Sequence, residues 1–123
     1  MKSSAMPKHS SPPRWALALT VLIALGITWG TLKPPGSGGG SFPLTDKQIH
    51  ALAFALLVLP LSFAAPRLIP KLIITALVFG AMIEVVQPSF GRTGEWEDWL
   101  ADAIGIAVGI LPGLWRQRRH NIS

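Results

Sequence analysis

Cysteine is absent from this 123-residue chain, and charged residues make up only 14% of it. Without thiols there is no disulfide-stapled secreted module. With half of the residues hydrophobic and a mean hydropathy of +0.45, the chain is neither globally disordered nor composed like a soluble protein. Its length allows one domain at most. Acid is the scarcest charge: six Asp and Glu against eleven Lys and Arg give a net +5 and a pI near 10.5. Such a balance suits nucleic acid only where cations cluster between aromatics on a soluble surface. Here they flank apolar runs, so nucleic acid is not an expected partner.

What the chain has in abundance is apolar sequence. Four runs, at about 15–32, 47–65, 71–88 and 98–115, are nearly free of charge between their ends, with Glu84 and Asp102 as the acidic exceptions. A transmembrane helix needs about 20 apolar residues, so each run reaches across a bilayer with little to spare. Val21 to Ile27 and Leu72 to Val78 are apolar nearly all round, which a soluble bundle would not tolerate. Lys2, Lys8 and Arg14 precede the first run as in a signal peptide, but no small-x-small cleavage pattern follows it, so a retained signal-anchor is expected. The predicted fold is all-α, a four-transmembrane-helix bundle spanning 15–115, in a multi-pass protein of the cell (inner or plasma) membrane.

Charge between the runs predicts orientation. Eight basic residues (Lys2, Lys8, Arg14, Arg67, Lys71, Arg116, Arg118, Arg119) fall on one side and three (Lys33, Lys47, Arg92) on the other. The positive-inside rule then puts both termini in the cytoplasm, as a tail at 1–14 and a basic tail at 116–123. Trp15, Trp29, Trp96, Trp99 and Trp115 all fall at predicted span ends, where an indole favours the headgroup region. The stretch 33–45, with its Gly36 to Gly40 run, reads as a flexible outer linker. Pro66 and Pro70 bracket a tight turn that makes spans two and three an antiparallel hairpin, while Pro60 and Pro112 are expected to kink their spans.

Function is sought where polar groups break the membrane pattern. All six acidic residues (Asp46, Glu84, Glu95, Glu97, Asp98, Asp102) fall in the outer half or the outer loops. On helices, Asp46 and His50 share one face, as do Glu84 and Gln87, and Asp98 and Asp102. The alternating topology brings these faces to one membrane level, near Lys47 and Arg92. Buried acids need partners and usually face the bundle interior or a water-filled cavity. Each element also has a plainer reading. Asp46 and Asp98 suit helix N-termini, His50 can hydrogen-bond across helices, and a purely structural ion pair accounts for Glu84. Ala101, Gly105, Gly109 and Gly113, together with Gly80, suit close helix packing. A lone histidine is no zinc signature, so neither a metal nor a cofactor is expected.

Three motifs carry a family resemblance: Asp46-Lys47-x-x-His50, then Gly80-x-x-x-Glu84-x-x-Gln87 running into Gly91-Arg92, then Asp98-x-x-x-Asp102-x-x-Gly105-x-x-x-Gly109. Together they resemble the signature of VanZ-like membrane proteins over roughly residues 15 to 115. The resemblance implies a small bacterial integral membrane protein of about four spans, related to a factor linked with low-level resistance to the glycopeptide antibiotic teicoplanin. The family usually carries Asn where this chain has Asp102. Two functions are in contention. One is a non-catalytic envelope factor that binds a lipid, an amphiphilic glycopeptide or a membrane partner through the outer polar site. The other is a membrane-embedded enzyme acting on a lipid headgroup or phosphate ester, with a carboxylate and His50 as acid and base. No serine or cysteine nucleophile stands beside His50 in sequence, and no phosphate-binding loop is present. The expected partners are membrane lipid, a lipid or glycopeptide ligand, and a second copy or another membrane protein.

Overall fold

Proline sets where several of the helices begin or break. The computed structural model describes residues 11–32, 46–87 and 96–122, and every element among them is helical. The Pro13 carbonyl accepts from Ala16 and Leu17 at 3.1 and 3.2 Å, at the start of α1, Arg14–Leu32. Helix α2, Asp46–Ala64, carries Pro60 and continues through it. Pro66 opens a single 3-10 turn, Pro66–Leu68, and Pro70 sits in the first turn of α3, Ile69–Val86. In a first turn proline costs nothing, since its missing N–H would have had no partner.

The last run is two helices rather than one. Helix α4, Trp96–Gly109, ends at a turn on Ile110, and α5, Leu111–Ile122, continues beyond it. Pro112 lacks the N–H that would reach the carbonyl four residues back and crowds it with its ring. Ile110 nevertheless donates to Ile106 and Leu114 to Ile110, at 3.1 and 2.9 Å, so hydrogen bonds carry across the junction. By length and apolarity α1, α2, α3 with its preceding turn, and α4 with α5 are each able to cross a membrane.

Burial separates the inner helices from the outer ones. Of the membrane-competent windows, 39% is buried in α2 and 44% in α4–α5, against 11% in α1 and 22% in α3. Phe54, Leu57 and Val58 of α2 form the centre of the core with Ile106 and Ile110, and the Phe54 and Phe79 rings pack at 5.8 Å between centroids. Outward, Ile74, Val78, Met82 and Val85 make an exposed apolar stripe along α3, and Val21, Leu22 and Leu25 make another on α1. Such faces suit hydrocarbon rather than water. The protein is a multi-pass membrane bundle.

The closest pair of helices is not the one joined by the tight turn. Helices α2 and α4 both start at the same end of the bundle and run in the same direction, with glycines of the last span set against α2 backbone. A Cβ at Gly105 would fall on the Ala51 carbonyl, at Gly109 on the Ala55 carbonyl, and at Gly113 on the Ser62 carbonyl. In lipid, where no hydrophobic force drives helices together, small residues let backbones approach and gain dispersion contact.

Candidate functional site

At the end of the bundle where α2 and α4 begin and α3 ends, the apolar interior gives way to polar groups. His50, one turn into α2, and Asp102, on the second turn of α4, are 6% and 1% exposed. Their Nδ1 and Oδ1 atoms lie 2.9 Å apart, a hydrogen bond between residues 52 positions apart. Glu84 of α3 joins them: one ligand-type atom from each of His50, Glu84 and Asp102 falls within 4.8 Å of the others. Glu84 is half-buried. The trio therefore draws one residue from each of three helices.

Gly80 explains how the Asp102 carboxylate fits. A Cβ at Gly80 would lie 2.7 Å from Asp102 Oδ2 and 3.3 Å from Trp99 Cδ1, inside normal contact, so α3 admits the acid only because this residue has no side chain. Trp99, one turn before Asp102 on the same face of α4, donates from Nε1 to the Leu77 carbonyl at 2.9 Å. Sequence reasoning put this indole in the headgroup belt. Its spacing of three from Asp102 was the available sign that both face α3. Trp15, Trp29 and Trp115 are exposed, as residues at a membrane boundary would be.

The remaining polar residues take separate partners. Lys47 Nζ reaches Asp98 Oδ1 at 3.5 Å, linking the first turns of α2 and α4. Gln87, 1% exposed at the end of α3, donates from Nε2 to the Thr31 carbonyl at 3.0 Å and so ties α3 to the end of α1. Ala101 is buried. The Asp46 side chain and Arg92 lie outside the described residues, so the expected approach of Arg92 to the trio falls there too. At the opposite end of the bundle, Arg116 of α5 donates to the Phe63 and Ala64 carbonyls at the end of α2, with its guanidinium 5.3 Å from the Phe63 ring centroid. It thereby satisfies orphan carbonyls and complements the helix dipole.

Ser62 does not supply a nucleophile for His50. It is twelve positions farther along α2, about 18 Å at 1.5 Å per residue, and its hydroxyl donates to the Leu59 and Gly109 carbonyls at 3.2 and 3.4 Å.

The VanZ/LLP1 family model matches residues 15–116, which takes in α1 to α4 and the first half of α5. The chain belongs to the VanZ/LLP1 family. No curated protein and no solved structure gives a significant match. Within the VanZ/LLP1 match lie all three motifs noted in the sequence, and His50, Glu84 and Asp102 come one from each.

Proposed function

We propose that this VanZ/LLP1 protein is a non-catalytic envelope factor of the cell membrane, binding a lipid, an amphiphilic glycopeptide or a membrane partner through the outer, polar end of its bundle. The observation that carries this reading is the His50–Asp102 hydrogen bond at 2.9 Å with both residues almost fully buried. A general acid or base has to reach the proton it transfers, and at 6% and 1% exposure His50 and Asp102 offer a substrate almost no surface. Lys47 is 51% exposed at its side chain and Glu84 half-buried. They present one charge of each sign near that end, which suits a zwitterionic or amphiphilic headgroup better than a purely apolar one. The family's association with teicoplanin susceptibility supplies the assay.

Expression of the wild type in a bacterial host is expected to lower its teicoplanin susceptibility, and Glu84→Gln to abolish that effect at unchanged membrane abundance. Susceptibility and abundance are measured side by side. A fall in phenotype proportional to a fall in abundance would make Glu84 structural, and full activity of the variant at normal abundance would sink the assignment.

A further inference from the structure

No metal-binding motif is written in this sequence, because the ligand-type residues are separated by 34 positions in one case and 18 in the other, from His50 to Glu84 to Asp102. Folding removes that separation. One atom from each, a ring nitrogen and two carboxylate oxygens, lies within 4.8 Å of the others. Two atoms bound to one ion at about 2.0–2.2 Å sit at most about 4.4 Å apart, so a small side-chain adjustment closes the set on a single centre. His50 and Asp102 are 6% and 1% exposed, and taking carboxylate out of water makes a cation between such groups strongly favourable.

Another polar group on α3 has an unused oxygen, and the donor chemistry of the trio narrows the metal. Gln87 follows Glu84 by one turn on the same face of α3 and is 1% exposed, yet only its Nε2 is used, in the bond to the Thr31 carbonyl. Its Oε1 is buried with no hydrogen-bond donor among the described residues. A buried amide oxygen without a donor is costly, and amide oxygen is a metal ligand. One imidazole nitrogen with carboxylate oxygens makes a borderline-to-hard donor set. That chemistry matches zinc or manganese rather than copper(I), which takes thiolates and thioethers, or calcium, which takes six to eight oxygens.

We propose that His50, Glu84 and Asp102 bind one divalent transition-metal ion, zinc or manganese, that ties α2, α3 and α4 together at this end of the bundle. The ion takes the place of the proton shared by His50 Nδ1 and Asp102 Oδ1, and that proton leaves for Nε2 or for solvent. Glu84 is shared with the ligand reading above, so bound metal is counted directly, apart from the susceptibility assay.

The test uses the full chain in lipid nanodiscs, stripped with chelator and titrated separately with Zn²⁺ and Mn²⁺. Bound metal is counted by mass spectrometry after gel filtration, and the melting temperature is read in parallel. Expected are about one ion per chain, a rise in melting temperature, and at least tenfold weaker binding in Asp102→Asn and Glu84→Gln, with His120→Ala unchanged. Both acid variants keep the shape of the side chain, and if one fails to fold the other carries the test. No binding of either metal at 100 µM, binding that both acid variants retain, loss of the ion in His120→Ala, or binding of Mg²⁺ or Ca²⁺ alone would each overturn the site.

Discussion

At the scale of single residues, two polar side-chain pairs at the same end of the bundle differ in worth because they differ in burial. His50 and Asp102 are almost out of contact with solvent. Removing one partner of such a pair strands the other and costs about 3–5 kcal/mol, whereas replacing both by apolar groups of similar volume is often neutral or stabilising. His50→Ala in the presence of chelator is therefore expected to destabilise the bundle by about that amount, and His50→Leu with Asp102→Leu to recover most of it. Denaturant titration in bicelles measures both. A double variant as weak as the single one would show that the site costs nothing to keep polar. For Lys47, whose side chain is 51% exposed beside Asp98, Lys47→Ala is expected to change stability by no more than about 1 kcal/mol.

At the scale of helices, the glycines divide into those with a neighbour and those without. Gly105, Gly109 and Gly113 leave no room for a Cβ against α2 backbone, while Gly26 and Gly30 of α1 have nothing within 4 Å. The backbone of α2 cannot give way as a side-chain tip can, so Gly109→Ala must push α4 off α2 and lose contact along the whole pair. The expected cost is about 1–3 kcal/mol, as for overpacking of a tight core. Gly26→Ala is expected to be neutral or to stabilise by about 0.4–1 kcal/mol, since it only restricts the unfolded chain. Melting temperatures of the two variants in one detergent make the comparison, and equal losses in both would contradict the packing described for the stripe.

At the scale of the whole molecule, orientation remains an expectation from charge. The eight-to-three split of basic residues predicts that Ser37 faces outward and Ser123 inward. The absence of native cysteine lets single replacements, Ser37→Cys and Ser123→Cys, report this with a membrane-impermeant thiol reagent on intact cells. Labelling is expected at position 37 alone, and labelling at 123 with protection at 37 would reverse the topology.

The length and composition of the apolar runs were enough to determine that there are four membrane-competent segments, because crossing hydrocarbon depends on local composition and backbone self-satisfaction. Spacing also determined that Glu84 shares a face with Gln87 and Asp98 with Asp102, since that follows from helical repeat alone. Partnership could not be read the same way. That α4 lies closest to α2, that Gly80 opens α3 for the Asp102 carboxylate, and that Trp99 turns inward to the Leu77 carbonyl were decided by how the helices dock. Docking depends on which side chains and small residues face which backbone across 22 to 54 positions of chain, and helical repeat relates only residues a few positions apart.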